Sequence, residues 1–292
     1  VPLNALAHWV RVRVVGDDDG DDGLPPDPPN LWMELVPLPI AVALTLGVKQ
    51  TALGRILIDF LIQVTVHEFG HAVTAWLCGI WALPLPCLCL TYVGMHRSMG
   101  TYAFLAILLV GFGWLGLRFG RFTPLVIATL FLTVQAYMTF GLSDKTAEML
   151  VTHGGCAGEL WISSLMIIAF FVKLPDRWRW DFWRFPTMLF GCYGLVGSWW
   201  MWRAIATGRM QMPWGTANSA KRNDPDGDLN RLVNKHDWTA EQLVDNYLAI
   251  AAWCIGAVVA VYLINGAWVV CTHWMRRRAS EAPATDLGEN DI

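Results

Sequence analysis

Residues 56–79 read ILIDFLIQVTVHEFGHAVTAWLCG, an apolar run that carries His67, Glu68 and His71 near its middle. A hydrocarbon core about 30 Å thick is crossed by roughly 20 apolar residues in helical form. This stretch meets that length, so it reads as a membrane helix holding three ionisable side chains within five positions. Such groups are costly to insert into lipid, and membrane helices keep them chiefly for function. Its reading decides both the fold class and the search for chemistry.

The rest of the chain supports a membrane setting. Of 292 residues, 55% are hydrophobic and 15% charged, against about 25% charged in an ordinary soluble domain. Seventeen Trp is a high count, and indoles favour the membrane–water interface. A net charge of -3 and the lack of a basic stripe exclude a nucleic-acid partner. The seven Cys are scattered without a CxxC pair, so they read as small apolar fillers rather than a disulfide framework.

Six segments satisfy the span criterion: 55–79, 102–120, 123–141, 156–173, 186–203 and 248–274. A further apolar stretch, 31–48, is interrupted by Glu34, Pro37 and Pro39 and stands as a candidate seventh span. The expected fold is therefore all-α, a polytopic transmembrane helix bundle over 31–278. Residues 1–30, with an acidic run and then a proline-rich one, read as a disordered N-terminal segment, with Met33 as an alternative start. Residues 279–292 read as a disordered tail. Positive clusters at Lys49 and Arg55, at Arg118 and Arg121, from Lys173 to Arg184 and at Arg276 to Arg278 fall on one side of a six-span chain. The positive-inside bias makes that side cytoplasmic. It places loops 80–101, 142–155 and 204–247 outside what is expected to be a prokaryotic cell membrane.

Helical spacing puts the imidazoles of His67 and His71 on one face, one turn apart. Two neutral imidazole nitrogens so placed can share a tetrahedral zinc. Glu68, beside the first ligand, is placed to take a proton from a water activated there. Gly70 clears space between the ligands. Pro84 and Pro86 follow closely and favour extended backbone; this strip lines a cavity or pairs with an extended peptide, or is an interfacial loop, the last being favoured.

Residues 55–90, with His67-Glu68-Phe69-Gly70-His71 in a span and the proline strip after it, resemble the site-2 proteases, the intramembrane zinc metallopeptidases. The resemblance implies a Zn2+ cofactor, His67 and His71 as ligands, Glu68 as catalytic base, and a membrane-embedded peptide or protein as substrate, with lipid around it. In that family an Asp of an Asp-Gly step on a later helix is the third ligand. Here such a step after the motif occurs only at Asp226-Gly227, in the polar loop. Family sites also lie nearer the cytosol, whereas the charge pattern puts His71 nearer the outer end of its helix.

A catalytic zinc needs a third protein ligand and an open position. The candidates are Glu159, His153, Asp144, Asp226 and Asp228. Glu159 is narrowly preferred as a lone carboxylate at the edge of an apolar helix, with His153 close behind; the two can also share the site as ligand and proton donor. Gly154, Gly155 and Gly158 allow close helix approach. The Asp-rich run 223–230 lacks the twelfth-position Glu of a calcium loop, Lys235 standing there, and reads as a turn before a helix. Asp59 either orients the site from behind or pairs with Arg55. The competing functions are a non-catalytic metal-binding membrane scaffold or transporter, and a zinc hydrolase acting on lipid or another small substrate.

Overall fold

The computed structural model describes residues 31–118, 122–172, 180–215 and 227–281. The expected disordered segments lie outside these residues, except that the last helix runs on to Glu281. The chain begins with α1 (Leu31–Leu35) and α2 (Pro37–Lys49), where Pro37 occupies a first-turn position that needs no amide donor. Next, α3 (Ala52–Leu57) passes through a π-helical turn, Ile58–Gln63, into α4 (Val64–Leu77), the motif helix. A β-hairpin follows, β1 (Ile80–Leu85) and β2 (Leu90–Arg97). The remaining helices are α5 (Met99–Arg118), α6 (Phe122–Ala136, with a π-helical end to Gly141), α7 (Asp144–Ala169), α8 (Trp180–Ala206), α9 (Asp228–His236) and α10 (Ala240–Glu281).

The favoured reading of the proline strip, residues 82–87, as an interfacial loop is corrected here. β1 and β2 pair antiparallel, with a bulge beside Trp81. Proline lacks a donor but keeps extended dihedrals, so Pro84 fits a strand of this two-stranded ribbon, opposite Thr91. Pro86 opens the short 3-10 turn, and Cys89 closes it at φ 51°.

The segments expected to span are mostly helical over their described residues, but of the six expected spans only three give helices long and apolar enough to cross a membrane: Met99–Arg118, Pro124–Gly141 and Ala240–Met275. These three present large apolar side chains outwards, among them Ile107, Val126 and Leu263, as lipid-facing surfaces do. With 42 residues, α10 is about 63 Å long, twice the hydrocarbon thickness. Near its start Asn246 and Tyr247 pack on His153 of α7 and Trp202 of α8, and its middle is the apolar part.

The other three helices, α4, α7 and α8, are more polar because they face one another. α4 and α7 touch through glycine: a Cβ on Gly70 would overlap the Gly154 carbonyl and lie 2.8 Å from the Gly158 Cα. Beyond that seam, Leu160, Ile167, Cys192, Leu195, Trp202, Tyr247 and Ala251 form the core of α7, α8 and α10.

Two polar residues counted as outward charges or helix interruptions turn out to be partners. Arg184 Nη1 donates to Glu34 Oε1 at 3.2 Å, both residues being buried. The guanidinium also sits over the rings of Phe170 and Phe185, at 4.8 and 5.3 Å. Arg184 therefore ties α8 to α1 and adds nothing to the surface charge count.

Candidate metal centre

α4 delivers His67, Glu68 and His71. The two imidazoles meet edge to face, with Nε2 atoms 3.1 Å apart. The third group is Asp228, the first residue of α9: its Oδ2 lies 3.0 Å from His67 Nε2 and 3.0 Å from His71 Nε2. The turn-then-helix reading of the Asp-rich run agrees with α9 starting here, whereas Asp226 lies outside the described residues. α9 is anchored by buried Leu229 and Leu232 and by Glu148, which meets Lys235 at 3.2 Å and Arg231 at 3.7 Å.

Hydrogen bonding fixes which ring nitrogens are bare. His71 Nδ1 stands 2.7 Å from the Val151 carbonyl. A carbonyl only accepts, so this nitrogen carries the hydrogen and Nε2 offers a lone pair. His67 Nδ1 stands 2.8 Å from Glu159 Oε1, and an ionised carboxylate likewise only accepts. Three lone-pair atoms, two Nε2 and one carboxylate oxygen, thus converge with no proton between them. Their mutual repulsion is relieved by a cation, or by additional protons on the rings. With such protons, burial works to raise the Asp228 carboxyl, but the imidazoles of His71 and His67 hold it well below the usual carboxylate range.

The spacing suits a metal. Ligand atoms around tetrahedral zinc, at bonds of about 2.0–2.1 Å, stand about 3.3 Å apart, close to the separations of 3.0, 3.0 and 3.1 Å found here. Gly155 matters at this point: a Cβ there would overlap both Nε2 atoms. Only glycine leaves that volume free.

Glu68 is buried and lines the same cavity, of about 1370 Å³, as His67, His71 and Asp228. Its Oε2 accepts from the Thr91 hydroxyl of β2 at 2.6 Å. The same hydroxyl lies 2.9 Å from the Glu68 carbonyl oxygen. Strand β2 therefore holds the carboxylate against the site.

The preferred sequence candidates land differently. Glu159 is at the centre but behind His67 rather than facing the Nε2 atoms. It also belongs to a second group of donor atoms, with His67 and Cys156, all within 4.8 Å of one another. His153 points away: its Nε2 pairs with Asn246 Oδ1 at 2.8 Å, and its ring stacks on Tyr247 at 4.7 Å. Asp144 is at the cavity mouth, bonded to Arg97 Nε at 3.2 Å. The side chains of Asp59 and Arg55 are outside those described.

Thr91, the Val151 carbonyl, Gly155 and Ser198 were not singled out for these roles by sequence. A hydroxyl or a carbonyl carries no spacing signature, so only the fold reveals them. Asp228 had a signal, its place after the glycine of an Asp-Gly step. Compared with known protein families, with characterised proteins and with solved structures, the chain matches none.

Proposed function

We propose that the chain is a multi-pass membrane zinc metallopeptidase, resembling the site-2 proteases, that hydrolyses a peptide bond in or near the bilayer. The observation that carries this reading is the convergence of His67 Nε2, His71 Nε2 and Asp228 Oδ2 as three bare acceptors within 3.1 Å of one another. Zinc held by these residues would lower the pKa of water at its open position and polarise a scissile carbonyl.

The protein's own residues supply the rest. Glu68 takes a proton from the attacking water and can return it to the leaving amine. Thr91 keeps the Glu68 carboxylate turned towards the cavity. Strand β2 lines that cavity beside the base and, in a two-stranded sheet, keeps one edge unpaired, which an extended substrate backbone could pair with. An α-helical segment would first have to unwind there, since a peptide bond inside a helix is shielded by its own side chains and hydrogen bonds.

The six long helices all crossing the bilayer is part of the same proposal. α4, α7 and α8 would cross as an inner group screened by the others and by lipid. A metal-binding scaffold would have no use for a buried carboxylate beside the ligands, aimed into the cavity. The deciding experiment is Glu68→Gln, with zinc content measured by mass spectrometry and cleavage of a reporter membrane peptide. Zinc should stay at one equivalent and cleavage should vanish. Undiminished cleavage would refute the catalytic assignment, and a zinc-free wild-type protein would refute the metal.

A further inference from the structure

Glu159 is more than nine-tenths buried, and the proposed function, which uses Glu68 and Asp228, does not otherwise require a third acidic group. Its two oxygens have separate partners. Oε1 receives the Nδ1 hydrogen of His67 at 2.8 Å. Oε2 receives the hydroxyl of Ser198, a fully buried residue of α8. Ser198 Oγ in turn accepts from Gln63 Nε2 at 3.2 Å. Gln63, His67 and His71 follow one another at four-residue intervals on a single face, so the same helix supplies both ends of this chain of bonds. Gly197 makes room for it: a Cβ there would sit 3.0 Å from Gln63 Nε2.

We infer that Glu159, oriented by Ser198 and Gln63, is a positioning residue that fixes the ring and the tautomer of His67 so that Nε2 faces the metal. The direction of the bonds carries the argument. Gln63 donates to Ser198, Ser198 donates to Glu159, and His67 donates to Glu159, so these three bonds run towards the carboxylate. A ring held this way cannot turn over without leaving a buried carboxylate oxygen unpaired. An acceptor behind a ligating imidazole also makes its far nitrogen more basic, and loss of such partners typically costs about 10–100-fold in metal affinity.

A rival role is available to the same side chain. His67, Cys156 and Glu159 offer donor atoms within 4.8 Å of one another, and a metal seated there would take Glu159 as a direct ligand. The two roles differ in spectroscopy. Cobalt in the histidine–aspartate set gives tetrahedral visible bands without a thiolate charge-transfer band; cobalt bound by Cys156 adds that band in the near ultraviolet.

The inference rests on the metal triad of the proposed function, and one experiment separates their failures. Detergent-purified full-length wild type, Glu159→Leu, Glu159→Gln and Ser198→Ala are titrated with zinc against a chromophoric chelator. Their cobalt derivatives are recorded alongside. The expected result is a zinc affinity about 10–100-fold weaker for Glu159→Leu, with smaller losses for Glu159→Gln, which keeps one acceptor, and for Ser198→Ala. The visible bands should retain their tetrahedral form, with no thiolate band in any variant.

If Glu159→Leu does not fold, the losses in Glu159→Gln and Ser198→Ala decide. Wild-type affinity in both of these overturns the inference while leaving the triad intact. A thiolate band in the wild type overturns it by placing the metal on Cys156. A wild type that binds no zinc removes the triad and the inference together.

Discussion

At the scale of single residues, the centre is defined as much by what is missing as by what is present. Gly155 contributes no side chain, and a methyl group at its Cα would lie inside the contact distance of both ligand nitrogens. Gly155→Ala should therefore abolish stoichiometric zinc binding while leaving helix content unchanged, as read by mass spectrometry and circular dichroism. A full equivalent of zinc in that variant would mean that the two nitrogens do not converge. The sequence made His67 and His71 legible because helical spacing alone brings i and i+4 to one face, and Glu68 was read from its place beside the first of them. The remaining ligand position was not legible in the same way. Glu159 was preferred on the cost of a carboxylate near lipid, and that cost is met instead by Ser198 and His67. Asp228 sits 157 residues beyond His71, and no local periodicity reports a contact at that separation.

At the scale of elements, one hydroxyl ties the hairpin to Glu68. Thr91→Val removes the donor to Glu68 but keeps the β-branched shape suited to a strand. The expected outcome is a kcat lowered by about tenfold, the scale of a lost hydrogen bond to a charged group of about 1.5 kcal/mol. Zinc content should be unchanged and Thr91→Ser should recover most of the rate. Single-turnover kinetics on the reporter substrate provide the check; an unaltered rate for the valine variant would detach the hairpin from the base. Of the two prolines that foretold extended backbone after α4, Pro84 lies in a strand and Pro86 opens a 3-10 turn; pairing with β2 was hidden because a bulge and that short turn replace a simple alternating pattern. The seam of Gly70, Gly154 and Gly158 was readable as a close-approach signal, and the helices do meet there backbone to backbone.

At the scale of the whole molecule, the three connections expected on one side of the membrane do share one feature. Met95 from 80–101, Glu148 from 142–155 and Trp214 and Lys235 from 204–247 all line the cavity. The span count was less legible, since hydropathy alone does not distinguish a helix facing lipid from one facing other helices; α7 and α8 carry their polar residues inward, towards one another and the site. The charge pattern makes a concrete prediction about sidedness. With exposed Cys87 and Cys271 replaced by Ser, single cysteines at exposed Met210 and Val172, beyond opposite ends of the α7–α8 pair, should react from opposite sides with an impermeant maleimide. Met210→Cys should label on intact cells and Val172→Cys only after permeabilisation; the reverse pattern would put the cavity on the cytosolic face. The placement of Asp228 at the head of α9 also has a bearing on biosynthesis. Translation emits the two histidines 157 residues or more ahead of the acidic donor, so a product ended between them holds an incomplete set of donors. Under the proposed activity, a fragment ended between His71 and Asp228 would reach the membrane without the donor set that hydrolysis requires.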